Sequence, residues 1–119
     1  MNAEIIQEFT FEAGHFLPAV PEGHPCQRIH GHSYRVEVHV LGPIDPVTGW
    51  VLDFHDLEAA VQPLIDQLDH RMLNEVPGLP NPTAECIGAW IWQRLQPVLP
   101  GVTSIVVWET STARAVIRG

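Results

Sequence analysis

The chain has 119 residues, of which 6 are basic and 14 acidic, so its formal net charge is -8 at pH 7. This length predicts a single domain over residues 1–119, and the 45% hydrophobic content supplies a packed core. All six basic residues are arginines and none form a run, which excludes nucleic acid or a membrane surface as the default partner. No apolar stretch reaches the roughly 20 residues of a membrane span and the N-terminus is acidic, so we expect a cytoplasmic protein.

Two alternating segments predict the first two strands. Along residues 5–15, apolar and polar residues alternate, which is typical of a half-buried strand and places His15 on its apolar face. The same alternation in residues 33–40 predicts a second strand. Its parity carries His30 and His32 onto the core face.

Two helices are predicted in the middle of the chain. Residues 50–52 could return as a short strand, after which Asp53 can cap a helix with an apolar stripe in residues 57–68. Pro63 interrupts this stripe, so we expect a kink or a break there. A second helix is predicted to start at Asn81-Pro82, with Asn81 as the cap. Its expected buried stripe consists of Ala84, Ile87, Ile91, Leu95 and Val98.

The end of the chain completes an α+β domain. Residues 102–109 and 112–118 are predicted to form two strands, after two strands and two helices. This order predicts a four-stranded antiparallel sheet with both helices on one face. Such a thin domain leaves sheet edges exposed, and joining the sheets of several subunits into a closed ring would cover them. Cys86, in the first turn of the second helix, is expected to be a small core residue.

The His30-Gly31-His32 motif is the first chemical signal. Side chains two residues apart in a strand point the same way, about 6.5 to 7 Å apart, so both imidazoles can converge on one ion. His15, on the core face of the neighbouring strand, is the natural third ligand. Three neutral imidazoles suit zinc, and catalytic sites keep a fourth position open. Cys26 could instead fill that position and close a structural site, and the spacing does not separate the two interpretations.

Two further sites, Asp69-His70 and Glu109, carry ionisable groups that could take part in proton transfer or ligand binding. Asp69 can orient the His70 imidazole for proton transfer, or it can cap a turn while His70 interacts with a helix dipole. Glu109 points toward an apolar strand face, so it needs a partner. That partner is either a ligand edge with two parallel donors or one of the chain's own arginines. Solvated surface roles are expected for three histidines: His24, His39 and His55.

Short motifs of one enzyme superfamily are spread over the whole chain. Besides Cys26 and His30-Gly31-His32, the matching segments are Phe9–His15, Pro21–His24, Thr48–Phe54, Leu68–His70, Leu73–Asn74, Asn81–Glu85 and Trp108–Thr110. Together they resemble the 6-pyruvoyltetrahydropterin synthase superfamily. The three residues between Cys26 and His30 resemble its bacterial branch that forms 6-carboxy-5,6,7,8-tetrahydropterin in queuosine biosynthesis.

This resemblance implies a fold, an assembly and a set of site residues. The fold is the tunnelling fold (T-fold), in which subunits join their sheets into a β-barrel, commonly as a homohexamer of two stacked trimers. The resemblance also implies a zinc ion (Zn2+) bound by His15, His30 and His32. The implied catalytic residues are Cys26, as a free thiol, and the proton-transferring pair Asp69 and His70. The residues implied to contact the pterin are Glu109, which anchors the ring, and Thr83, Ala84 and Glu85.

The resemblance further implies a zinc-dependent lyase acting on 7,8-dihydroneopterin triphosphate. Its products are 6-carboxy-5,6,7,8-tetrahydropterin, acetaldehyde and triphosphate. The alternatives are a 6-pyruvoyltetrahydropterin synthase, a metal-dependent hydrolase and a non-catalytic oligomer that binds zinc or a pterin. Because the chain is acidic, a triphosphate needs a local positive patch. Arg28, between Cys26 and His30, is the best-placed candidate in the sequence.

Overall fold

A five-stranded sheet forms the centre of the protein in a computed structural model that describes residues 1–119. The strands are β1 (Asn2–His15), β2 (His30–Pro43), β3 (Arg71–Met72), β4 (Val102–Trp108) and β5 (Arg114–Arg118). Their order in the sheet is β3-β1-β2-β4-β5. All neighbouring pairs are antiparallel except β1 and β3, which are parallel. The α+β fold with a mostly antiparallel sheet is therefore confirmed, and β3 adds an edge strand to the four predicted.

Two differences concern short segments of the chain. The two-residue β3 is too short to show a period, and the preceding His70 backbone N–H donates to the Glu12 carbonyl, 2.6 Å away. The short strand predicted at residues 50–52 is wrong, because this segment has no strand pairing. Instead the Trp50 carbonyl accepts from the Asp45 N–H and closes a loop.

Helix α1 (Phe54–Leu68) begins as predicted, because the Asp53 carboxylate accepts from the His55 N–H. The apolar stripe of the helix is buried against the sheet. The helix continues through Pro63, so a break at this residue, one of the two expected outcomes, is wrong. Pro63 is exposed, as is Ala59, whose carbonyl loses the N–H that proline lacks. Solvent can satisfy this carbonyl, which explains why the helix does not break.

Helix α2 (Ala84–Leu95) starts two residues later than predicted. Its cap is Thr83, whose hydroxyl accepts from the Cys86 N–H, and not Asn81. Cys86 is exposed, so its prediction as a core residue is wrong. Val98 is also exposed, because the helix ends at Leu95 and the chain leaves the helical register before it reaches Val98.

Both helices pack on one face of the sheet, as expected, with α1 against β1 and α2 against β4 and β5. The opposite face is called the open face below. The pairing of β2 with β4 ends at Arg35 and Trp108, so residues 30–34 of β2 extend beyond β4 together with the end of β1. This overhang carries the candidate site. Neither helix has the length and hydropathy to cross a membrane.

Candidate active site

Three histidines and one carboxylate converge at the overhang. His15, the last residue of β1, is the register partner of His30, the first residue of β2, and His32 follows on the same face. Glu109 comes directly after β4. One ligand atom from each of these four residues lies within 4.8 Å of the others. The structure therefore brings together the three histidines expected to share an ion, and it adds Glu109 to them.

Backbone carbonyls orient all three imidazole rings. The Nδ1 atoms of His15, His30 and His32 lie 2.8, 2.8 and 2.9 Å from the carbonyl oxygens of residues 82, 28 and 33, respectively. A carbonyl oxygen can only accept, so each Nδ1 carries the proton and donates. In a neutral ring the Nε2 atom then presents a free lone pair, which is the form that binds a metal.

The three Nε2 atoms face one another. Those of His15 and His30 are 2.8 Å apart, and that of His32 is buried with no hydrogen-bond partner, 3.4 Å from Glu109 Oε1. Burial lowers the pKa of His15 despite its bond to the Pro82 carbonyl, so this ring is neutral at neutral pH. Lone pairs that face each other repel unless a proton or a metal ion lies between them, and three imidazole nitrogens are a donor set that suits zinc.

Cys26 lies beside the four-residue cluster without belonging to it. A short 3-10 turn (Pro25–Gln27) holds this half-buried residue, and the Leu17 N–H donates to its carbonyl. Cys26 lines an open cleft together with His15 and Glu109. The carboxylate of Glu109, and not the thiol, is thus the fourth group near the imidazoles. This geometry does not favour a structural site closed by Cys26.

The start of α2 forms one wall of this cleft. Thr83, Ala84 and Glu85 line it together with His15, Cys26 and Glu109. Six of the predicted site residues thus share one cavity of about 660 Å³. The Pro82 carbonyl, one residue before the Thr83 cap, accepts from His15. The position of the helix is therefore coupled directly to the histidine cluster.

Asp69 and His70 form a bonded pair at the end of α1. The Asp69 Oδ1 atom accepts from the Glu12 N–H at 2.9 Å and lies 3.0 Å from His70 Nδ1. These two bonds, with that of Glu12 the stronger influence, lower the pKa of Asp69, so its carboxyl is charged at neutral pH. His70 has a φ of 56° and an exposed side chain, and it lines a cleft shared with His32. The histidine cluster thus borders both this cleft and the one that contains Cys26.

Arg28 lies apart from these cavities. Its side chain is exposed and lines none of the five clefts, while its carbonyl orients His30. Arg35 and Arg114 instead line clefts that adjoin the histidine cluster. The alternation of β2 places Arg35 on the face opposite Tyr34 and the histidines, so spacing contains no signal that it borders a cleft with them.

The other histidines do not all follow the expectation of solvated surface roles. His24 and His55 are exposed, and His24 Nδ1 accepts from the Cys26 N–H. His39 is half-buried, with its ring nitrogens 2.8 Å from Glu4 and 3.1 Å from Glu37. It belongs to a polar network on the open face.

Tyr34 is a further residue at the cluster that the sequence did not single out as functional. Its side chain is 1% exposed, stacks on Phe11 with ring centroids 4.7 Å apart, and lies 4.1 Å from the His32 ring centroid. The hydroxyl has no hydrogen-bond partner, although the residue lines the cleft that contains Glu109. Burial and the Glu109 charge raise the pKa of Tyr34 far above its usual range, so it stays protonated.

Comparisons with known proteins agree with this geometry. The profile of the family described as 6-pyruvoyl tetrahydropterin synthase matches residues 4–119, which is nearly the whole chain. The chain belongs to this family. All the site residues described above lie in the matched region.

Named relatives in the family have different activities. The chain is 45% identical to the 6-carboxy-5,6,7,8-tetrahydropterin synthase of Synechocystis, over 93% of this chain and 89% of the relative. It is 36% identical to the dihydroneopterin monophosphate aldolase of Pyrococcus furiosus, over 92% and 91%. The structure of Caenorhabditis elegans 6-pyruvoyl tetrahydropterin synthase superposes with a TM-score of 0.92 at 22% identity, covering 100% of this chain and 96% of that one. This structural match supports the fold.

Replacing Tyr34 with Phe tests whether its hydroxyl is unpaired. The variant Tyr34→Phe keeps the stack on Phe11 and removes a buried polar group without a partner. We expect its free energy of unfolding to stay unchanged or to rise by up to about 1 kcal/mol, measured by urea denaturation at fixed protein and zinc concentrations. Tyr34→Ala, which also removes the ring, should lose about 3 to 5 kcal/mol. A loss of more than about 1 kcal/mol in Tyr34→Phe would show that the hydroxyl is bonded.

Proposed function

We propose that the protein is a zinc-dependent lyase of queuosine biosynthesis. With water as co-substrate, it converts 7,8-dihydroneopterin triphosphate to 6-carboxy-5,6,7,8-tetrahydropterin, acetaldehyde and triphosphate. The observation that carries the proposal is the convergence of three imidazole Nε2 atoms beside a cleft that also contains Cys26 and Glu109. The similarity to the Synechocystis enzyme supports the choice of product.

His15, His30 and His32 would hold the zinc ion through their Nε2 atoms. When bound there, zinc supplies an electrophile that lowers the pKa of a substrate hydroxyl and stabilises negative charge on side-chain oxygens. The chain contributes three rings oriented by backbone carbonyls, with their lone pairs directed toward one point. Little side-chain reorganisation is then required when the metal binds.

Cys26 is assigned the role of general base. Its thiolate would take a proton from the substrate carbon next to the pterin ring, and the thiolate is the reactive form of a cysteine. Its place in the cleft with His15 and Glu109, outside the four-residue cluster, supports a free thiol. Because the residue is only half-buried, a substrate in the cleft can reach it.

Asp69 and His70 are assigned the second proton transfer. The charged Asp69 carboxylate accepts from His70 Nδ1 and so fixes the tautomer of the ring, which leaves Nε2 to exchange protons with the substrate. The Glu12 N–H holds this carboxylate in place from the neighbouring strand. His70 lines a different cleft from Cys26, so the two residues would exchange protons from different directions.

Glu109 is assigned the role of binding the pterin ring. Its carboxylate can accept two parallel hydrogen bonds, from a ring N–H and from the amino group of a pterin. Thr83, Ala84 and Glu85 line the same cleft and would contact the ring from the start of α2. The short distance from Glu109 to His32 favours a second role, as a fourth metal ligand.

Self-association into a homohexamer of two trimers in the cytoplasm completes the proposal. The edge strands of the single chain are β3 and β5. Ile6, Leu41 and Val116 are exposed, and their parity places them on the open face. Joining the sheets of several subunits into a barrel would cover these edges and apolar side chains.

Product analysis tests the reaction directly. The zinc-loaded protein should convert dihydroneopterin triphosphate to acetaldehyde and 6-carboxy-5,6,7,8-tetrahydropterin, both identified by mass spectrometry. A pyruvoyl product without acetaldehyde would support the 6-pyruvoyltetrahydropterin synthase alternative. A two-carbon aldehyde that still carries the phosphates would indicate an aldolase like the Pyrococcus furiosus relative. Released phosphate or formate without acetaldehyde would indicate a hydrolase, and unchanged substrate a non-catalytic binder.

The role of Cys26 predicts that Cys26→Ala keeps its zinc and loses turnover. We expect a drop in kcat of at least about 100-fold, since general bases contribute on this order, with zinc per subunit unchanged by atomic absorption. Cys86→Ala is the matched control, because Cys86 is exposed and lines no cleft near the cluster. Loss of zinc from Cys26→Ala would instead support the structural site closed by this cysteine.

The two roles of Glu109 predict different results for Glu109→Gln. As a pterin anchor, Gln removes the charge that pairs with two donors, so KM should rise by about tenfold or more while zinc per subunit stays the same. As a metal ligand, Gln would lower the affinity for zinc, measured by competition with a chelator. Loss of zinc at unchanged binding of unreactive pterins would contradict the anchor role.

A further inference from the structure

The arginines of this chain have no carboxylate partners. All five ion pairs in the structure join a histidine to a carboxylate, and none involves an arginine. In a chain with 14 acidic residues and a net charge of -8, six guanidinium groups would ordinarily find such partners. Arg94 donates to the carbonyls of Trp90 and Pro77, whereas the donors of the other five are available to an anion from outside the chain.

Two of these arginines flank one tryptophan on the open face. Arg35 on β2 and Arg114 on β5 are both register partners of Trp108 on β4, which lies between them in the sheet. The guanidinium carbons of Arg35 and Arg114 lie 4.0 and 4.7 Å from the Trp108 ring centroid. Cation–π attraction to one indole thus holds two like charges near each other.

The hydrogen-bonding groups of this arginine pair are unsatisfied. Arg35 Nε is buried without a partner, and neither side chain makes a hydrogen bond within the chain. A neighbouring carboxylate, Glu37, accepts from Trp108 Nε1 and is bonded to His39 Nε2. Burial alone would raise the pKa of Glu37, but these bonds and the charges of His39 and Arg114 hold it below its usual value. Glu37 thus lies near Arg114 without forming a direct ion pair. The buried Arg35 donor without a partner, beside two guanidinium groups outside any ion pair, indicates a site that an anion completes.

The pair lies next to the proposed reaction site. Arg35 lines a cleft with His30, His32 and Glu109, and the hydroxyl side chains of Ser33 and Ser111 border the same cleft. Arg114 lines the adjoining cleft with Cys26, His15 and Glu109. Glu109 belongs to both clefts, so a ligand held by this carboxylate can extend toward either guanidinium.

We propose that Arg35 and Arg114 form the subsite that binds the polyphosphate of the substrate. The inference rests on the proposed function, because it assigns the anionic end of the ligand whose pterin end Glu109 would hold. Two guanidinium groups can each bind phosphate oxygens bidentately, and the polyanion relieves the repulsion between them. The Ser111 hydroxyl adds a neutral donor, whereas the Ser33 hydroxyl already donates to Glu12.

The test compares a ligand with and without phosphate. Dihydroneopterin triphosphate and dihydroneopterin are titrated calorimetrically into zinc-loaded protein carrying Cys26→Ala, which prevents turnover. Adding Arg35→Gln or Arg114→Gln should weaken binding of the triphosphate by about tenfold or more each, since hydrogen bonds to charged groups are lost. Binding of dihydroneopterin should stay unchanged, and the salt dependence of triphosphate binding should become less steep.

Arg94→Gln is the matched control. Arg94 stacks on Trp90 at the same 4.0 Å distance, but it lines none of the clefts beside the histidine cluster. Arg35→Lys keeps the charge and should recover part of the affinity, which a loss of folding would not allow. Equal binding of the triphosphate with and without both substitutions would overturn the inference, as would a loss found only with Arg28→Gln.

The inference and the proposed function fail in different ways. Arginine-dependent binding of the triphosphate without acetaldehyde from the protein that retains Cys26 would leave the subsite standing and remove the proposed reaction. If the protein produces acetaldehyde but binding of the triphosphate does not depend on Arg35 or Arg114, the proposed reaction stands and the subsite is removed.

Discussion

The register of the β1–β2 hairpin is the constraint on which the site depends. It places His15 opposite His30 and Ala13 opposite His32, so three imidazoles share one face at one end of the sheet. Because side chains alternate with a period of two, a slip of one residue would turn His30 and His32 to the open face while His15 stayed on the core face. Farther along both strands, every second side chain is buried, as Phe9 is on β1 and Val38 on β2. The burial of these apolar side chains stabilises the register. The register that buries the core side chains is therefore also the register that brings the three imidazoles together.

The rest of the fold is attached to that cluster through the backbone. The carbonyl before the Thr83 cap orients His15, and the carbonyl after the 3-10 turn that holds Cys26 orients His30. The start of α2 and the cysteine loop are thus positioned by the same rings that would hold a metal. Metal binding should consequently order both walls of the cleft. This connection explains how residues distant in sequence, such as Cys26 and Thr83, come to line one cavity.

Periodicity predicted the parts of the molecule that burial specifies. The two long strands, the core face of the three histidines and the Asp53 cap all follow from local pattern. The pairing of β3 beside β1, the Thr83 cap and the closeness of Glu109 to His32 depend on contacts between distant segments, which one-dimensional spacing does not contain. Arg28 is a candidate in the sequence because it lies between two site residues, whereas the sheet brings Arg35 and Arg114, from other positions in the chain, to the clefts. The resemblance to a known superfamily supplied the roles that spacing left open.

The pairing of Gly14 with Gly31 has a consequence for access to the site. These register partners lie beside the histidines, where neither strand carries a Cβ, and a Cβ at Gly31 would come within 3.3 Å of the Ala13 carbonyl oxygen. A β-sheet normally acts as a partition between its two faces, because side chains cover both. At this pair no side chain covers the backbone, and a cleft opens there that both glycines share with His32 and His70. Any larger residue at Gly31 would therefore narrow the approach to His32 from the side on which His70 lies.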